Sequence, residues 1–152
     1  MGSSAAGTGG AVGIDDVMVE EVWARLKSDP KAVLVDVRTK AEWSFVGVPD
    51  LSPVGKKLHL VEWQTFPAGQ VDPQFADKLT SVLEASSVGK DDEIFFICRS
   101  GGRSMSAARA MAAKGYLRCR NVADGFEGPL DPRRHRGGTG GWKSAGLPWS
   151  QT

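Results

Sequence analysis

The chain reads as an α/β protein, a parallel sheet of about five strands with helices on both faces. Residues 32–37 and 93–97 form short, nearly continuous apolar runs, the pattern of strands buried on both sides. Stretches with helical spacing of apolar residues separate such runs, as βαβ units require. A third observation fixes one such unit. The segment Phe95-Phe96-Ile97-Cys98 passes through Arg99-Ser100-Gly101-Gly102-Arg103-Ser104 into a helix-forming run at 105–114.

Taken in order, residues 1–13 are almost all Gly, Ala, Ser and Thr. They lack the basic and apolar parts of a secretory signal and read as a flexible tail. Val19, Val22, Trp23 and Leu26 fall on one helical face, and Asp29-Pro30 ends that helix. Residues 32–37 are a central strand, broken in polarity only at Asp36. Thr39 is placed to cap a short helix through Phe45, and residues 58–61 read as a further strand. Asp72 as N-cap with Pro73 in the first helical position starts a helix to about Ser86, with Phe75, Leu79, Val82 and Leu83 as its buried stripe. The strand at 93–97 delivers Cys98, the helix at 105–114 stops at Gly115, and 120–123 is the last strand. There is no internal repeat. Residues 14–152 are expected to form one domain, with a basic and Gly-rich insertion at about 129–140.

Bulk properties narrow the function. The formal net charge of the 152 residues is +1, which argues against nucleic acid or an anionic membrane as partner. No apolar stretch is long enough to span a bilayer. Two cysteines far apart, Cys98 and Cys119, are neither a metal nor a disulfide framework, so a reducing, cytoplasmic setting is expected. The lone His135 has no ligand company, and no metal site is expected.

The chemistry centres on Cys98. A thiol at the end of a buried strand, before a small-residue turn and a helix N-terminus, faces backbone N–H groups and the positive end of the helix dipole. Arg99 and Arg103 add charge, so Cys98 is expected to ionise readily and act as a nucleophile toward an anionic substrate. Ser100 and Ser104 can donate to the sulfur, although Ser104 is equally suited to cap the helix. Gly101 and Gly102 give the turn its backbone freedom. The loop has the form C-x4-R. Tyrosine phosphatases need C-x5-R, and here Ser104 stands where their arginine belongs. A loop one residue shorter makes a smaller cradle, suited to one extra sulfur on Cys98.

This loop length resembles that of the rhodanese (sulfurtransferase) family. The resemblance extends to residues 32–43, similar to the family's strand ending in Asp-x-Arg followed by an acidic–aromatic pair, here Asp36, Arg38, Glu42 and Trp43. It continues in Asn121-Val122 and in Gly141-Trp142-Lys143-Ser144-Ala145-Gly146-Leu147-Pro148, which look like the closing strand and final Trp-containing helix. Two departures stand out: Gly47-Val48-Pro49-Asp50-Leu51 lacks the histidine of the family's turn, and the insertion carries Arg133-Arg134-His135-Arg136.

The resemblance implies that Cys98 carries sulfur as a persulfide, taken from a small anionic donor such as thiosulfate and passed to a thiol or to cyanide. Arg99, Ser100, Gly101, Gly102, Arg103 and Ser104 would form the cradle, with Asp36 and Arg38 in a structural role beside it. No cofactor is expected. A non-enzymatic persulfide carrier or regulatory binding module is the alternative, with a protein persulfide donor or thiol acceptor as partner; phosphatase or arsenate-reductase chemistry ranks below both. The basic cluster of the insertion reads either as a cover that recruits an anion or a partner, or as a solvated charge run in a flexible segment; residues 137–141 read as a linker. Cys119 sits near a strand start, away from the rim that carries Cys98, which argues against a resolving role.

Overall fold

The computed structural model describes residues 13–65 and 67–151. Nearly all of the tail predicted for residues 1–13 lies outside the described residues. The main sheet has five strands: β1 (Asp15–Val17), β2 (Val33–Asp36), β4 (His59–Leu60), β5 (Glu93–Ile97) and β6 (Arg118–Val122). Their order is β1-β6-β5-β2-β4, and every neighbouring pair is parallel. A small antiparallel pair, β3 (Val48–Pro49) with β7 (Trp149–Ser150), forms a second sheet.

The apolar runs are two-sided strands. In β5, Ile94 and Phe96 join Val35 of β2 on one face, while Phe95 and Ile97 join Leu34 on the other. The period of two splits the core into two layers. Helices α3 (Phe75–Ala85) and α4 (Gly102–Ala113) cover the first face through Phe75, Leu79, Leu83, Ala107, Ala108 and Met111. Helix α1 (Val19–Ser28) and the short α5 (Gly141–Ser144) cover the second through Val22, Leu26 and Trp142. The predicted α/β architecture, with helices on both faces, is the one observed.

Local differences have physical causes. Helix α3 starts at Phe75, not at Pro73, because the Asp72 carboxylate accepts the Gln74 N–H at 2.9 Å and its carbonyl accepts the Phe75 N–H. That turn places Pro73 ahead of the helix. Helix α4 starts three residues earlier than expected, because Gly101 at φ +112° turns the chain directly from strand to helix. Ser104 therefore lies inside the first turn, fully buried, and is not the N-cap. Strands β1, β3 and β7 gave no periodic signal because each has only two or three residues. Thr39 caps α2 (Lys40–Phe45) as predicted, in a capping box with Glu42.

The insertion is built of turns rather than a free linker. The Asp131 carboxylate accepts the N–H groups of Arg133 and His135, and the Gly137 N–H donates to the Glu127 carbonyl. Its two ends pinch together: a Cβ on Gly128 would lie 2.2 Å from the Gly140 carbonyl oxygen.

At the carboxyl end of β2 stands a buried ion pair. Asp36 and Arg38 are both fully buried, with Nη2 2.7 Å from Oδ2 and Nε 3.0 Å from Oδ1. Arg38 also donates to the Gly47 carbonyl at 2.7 Å and lies 4.3 Å over the Phe126 ring. It thus ties β2 to β3 and to the loop after β6. Deleting one member of a buried pair leaves a charge without compensation. Asp36→Ala is expected to lower unfolding stability by about 3–5 kcal/mol, whereas Glu21→Ala, which breaks an exposed pair with Arg25, should cost less than about 1 kcal/mol; urea unfolding of both variants is the check.

Candidate active site

Cys98 follows β5 directly, at the carboxyl rim of the sheet where parallel α/β folds place their ligand sites. Its side chain is covered, with 1% of the residue exposed. The Gly101 N–H donates to Sγ at 3.2 Å, and the Ser104 hydroxyl lies 3.2 Å from the same sulfur. Both groups belong to the turn into α4, so the sulfur sits at that helix's N-terminal end, where N–H groups lack intrahelical partners.

The loop after β6 holds this turn from below. The N–H of Phe126 donates to the Cys98 carbonyl at 2.8 Å, and those of Glu127 and Gly128 donate to the Arg99 carbonyl at 3.0 and 3.2 Å. Such an approach needs glycine at 125. Its φ is +66°, and a Cβ there would lie 2.5 Å from the Cys98 carbonyl oxygen.

Arg103 does not extend freely over the sulfur. Its guanidinium forms a two-point pair with Glu42, Nη1 to Oε1 at 2.6 Å and Nη2 to Oε2 at 2.9 Å. Burial alone would push the Glu42 carboxyl up. The hydrogen bonds and charge of Arg103, with the Thr39 N–H, outweigh it and hold the group down at about 2. Glu42 in turn keeps Arg103 more firmly protonated against its own burial. Arg99 and Ser100 are exposed. Arg99, Arg103, Glu42, Phe45, Glu127 and Arg136 line an open cavity of about 590 Å³. Arg136 reaches it from the insertion and is held by the Gly128 carbonyl at 2.8 Å. Among the described residues, neither Arg99 nor Arg136 takes part in an ion pair.

The predicted site residues therefore divide. Cys98, Gly101 and Ser104 meet at the sulfur; Arg99 and Arg103 line the cavity; Gly102 opens α4. Asp36 and Arg38 form a buried brace. Arg133, Arg134 and His135 point to solvent, and of the basic cluster only Arg136 belongs to the cavity wall. Cys119 pairs in register with Ile94, four residues before Cys98, about 13 Å along the strand. Burial pushes its thiol up to about 12, so it is neither near nor reactive. Two residues named above only as parts of motifs, Glu42 and Asn121, also belong to the site. Glu42 is the fourth residue of a T-x-x-E capping box, and that signature could have marked its position though not its partner. Asn121, 3% exposed, is a polar residue within a buried strand; its side chain contacts Ser104 and Asp16. Among the described residues no group of three His, Cys, Asp or Glu side chains could hold a metal ion, and no helix is long and apolar enough to cross a membrane.

The depressed Glu42 carboxyl links stability to pH. A group ionising more readily folded than unfolded contributes above its unfolded value, near 4.5, and loses that contribution as pH falls toward about 2. Over that window the native protein is expected to lose more stability than Glu42→Gln, and the two curves should differ most above pH 4.5; urea unfolding at a series of pH values checks this.

Comparison with known proteins agrees with this geometry. The family described as the STR4 middle domain matches residues 15–152. The crystal structure of Rv0390 from M. tuberculosis superposes with a TM-score of 0.82 at 42% identity, over 93% of this chain and all of that one. An uncharacterized protein of Rickettsia prowazekii, RP600, is 35% identical over 136 residues, 90% of this chain and 97% of its own length. The chloroplastic rhodanese-like domain-containing protein 4 of Arabidopsis thaliana is 28% identical over 133 residues, 86% of this chain and 24% of that protein. With a five-stranded parallel sheet, a cysteine at the rim and a family match over almost its whole length, the chain belongs to the rhodanese-like sulfurtransferase family.

Proposed function

We propose that this protein transfers a sulfane sulfur from a small anionic donor, such as thiosulfate, to a thiol or cyanide acceptor through a persulfide on Cys98. The observation that carries this reading is the cradle at the sulfur: the Gly101 N–H and the Ser104 hydroxyl both lie 3.2 Å from Sγ at the opening of α4. In the first half-reaction the Cys98 thiolate attacks the outer sulfur of thiosulfate. A new S–S bond forms, the S–S bond of the donor breaks, and sulfite leaves with its electron pair. In the second, the acceptor takes the outer sulfur and the electron pair of the broken bond returns to Sγ. Cyanide leaves as thiocyanate, and a thiolate leaves as a persulfide. Each half-reaction balances in charge without an external oxidant or reductant.

Charge placement supports an anionic donor. Glu42 neutralises Arg103, and among the described residues Arg99 and Arg136 are cations of the cavity wall that take part in no ion pair. In this reading Arg103 shapes the loop, and Arg99 with Arg136 attracts the donor. The size of the loop favours a single sulfur over a phosphoryl group.

Two measurements test the reading. Brief exposure to thiosulfate should add the mass of one sulfur to the intact protein, cyanide should remove it as thiocyanate, and Cys98→Ser should show neither step. No mass gain in the native protein would end the thiosulfate assignment, and a persulfide that forms but resists both cyanide and small thiols would mark a carrier instead. Arg136→Ala is expected to raise KM for thiosulfate about tenfold with little change in kcat, as loss of a charge-assisted contact predicts; an unchanged KM would remove Arg136 from donor binding.

A further inference from the structure

The Asn121 side chain lies behind the sulfur cradle, and its amide orientation follows from its neighbours. Nδ2 donates to Asp16 Oδ1 at 2.8 Å and to the Gly101 carbonyl at 3.1 Å. A carboxylate and a carbonyl can only accept, so the nitrogen must face them and Oδ1 must face Ser104. Asp16 and Asn121 are register partners on β1 and β6, which fixes this anchor through the sheet. Oδ1 cannot donate. Its 2.5 Å contact with Ser104 Oγ therefore takes the one proton that the hydroxyl has. Ser104 Oγ also lies 3.2 Å from Cys98 Sγ and 3.3 Å from the Gly101 carbonyl oxygen. One proton serves three acceptors, and the shortest contact is with Asn121.

We propose that Asn121, anchored by Asp16, is a positioning residue that holds the Ser104 proton while the Cys98 sulfur is uncharged and yields it when charge develops there. A thiol sulfur, or the inner sulfur of a persulfide, is a poor acceptor, so the hydroxyl rests on Oδ1. When the acceptor removes the outer sulfur and an electron pair returns to Sγ, rotation about the Ser104 Cβ–Oγ bond turns the O–H from Oδ1 toward the thiolate, the proton staying on Oγ. No heavy atom has to move. Because Oδ1 competes for the proton, Asn121 limits how far Ser104 stabilises the thiolate. A thiolate held too firmly is a weaker nucleophile, so this competition keeps the sulfur reactive. The role in turnover rests on the persulfide reading above; the competition for the proton does not.

The test is the pH dependence of Cys98 alkylation by iodoacetamide, which involves no sulfur donor. The ionisable groups around the cradle are Arg99 and Arg103 from the loop and α4, Asp36 at the end of β2 with Arg38 just beyond it, Glu42 from α2, Asp124 and Glu127 after β6, and Asp16 from β1 behind Asn121. All of them are retained in Asn121→Ala and Ser104→Ala. Ser104→Ala should raise the pH midpoint of alkylation by about one unit. Asn121→Ala, which frees the hydroxyl for the sulfur, should lower it by about half a unit or more. In the double variant the Asn121 effect should vanish, because that residue acts only through Ser104. A midpoint that rises or stays fixed in Asn121→Ala, or an equal shift with and without Ser104, would overturn the proposal. If Asn121→Ala fails to fold, Asp16→Ala at its exposed position takes its place; because it also removes a negative charge, only the part of its downward shift that disappears with Ser104→Ala counts, and no shift, or the same shift with and without Ser104, would overturn the proposal. Failure of persulfide loading with the alkylation pattern intact would instead count against the sulfur-transfer reading alone.

Discussion

The contact on which the site depends is the one between the loop after β6 and the turn that follows Cys98. Three backbone N–H groups, from Phe126, Glu127 and Gly128, converge on the carbonyls of Cys98 and Arg99. The Cys98 carbonyl leaves the end of β5 in a buried residue, where a carbonyl without a donor is costly. Gly125 makes the approach possible, since any side chain there would overlap the Cys98 carbonyl. The same contact sets where the insertion begins and where it returns, at the close pair of Gly128 and Gly140, and it brings Trp142 into the core on the α1 side.

Around this frame the arginines take different work. Arg38 is sealed with Asp36, stacked on Phe126 and bonded to Gly47, and it holds the rim together without reaching the cavity. Arg103 is fixed by Glu42, so its guanidinium is not free to follow a substrate. Among the described residues, Arg99 and Arg136 stand on the cavity wall outside any ion pair. Four arginines around one rim thus split into two held by carboxylates and two on the cavity wall that are not. The insertion contributes to the second kind through one residue, Arg136, while its neighbours Arg133 and Arg134 face solvent.

The sulfur itself is met by neutral donors. An N–H and a hydroxyl can stabilise charge on Sγ and then release it as charge leaves, which a fixed ion pair cannot do as readily. Ser104 is suited to this because its hydroxyl has a second acceptor within reach, and Asn121 is suited because Asp16 fixes its orientation. Positions on three elements, β1, β6 and α4, meet behind one atom of a fourth.

Much of this was legible in the chain. The two-sided strands 93–97 and 32–37, the capping role of Thr39 and the buried stripe of α3 follow from periodicity and side-chain chemistry acting over a few residues. Cys98 stood out for the same reason, since an apolar run, a Gly-Gly turn and a helix lie in direct succession. Short strands such as β1 and β7 left no trace, because two or three residues carry no period. The partners of Arg103 and Ser104 were also hidden. Glu42 lies 61 positions from Arg103, and Asn121 lies 17 from Ser104. The sequence by itself determined which elements form and where the thiol sits among them, because those depend on neighbours in the chain. Which arginines stay free, which acceptor holds the Ser104 proton and which part of the insertion reaches the cavity were decided only by the tertiary structure, because ion pairs and hydrogen bonds depend on distances in space that strand order and loop packing set.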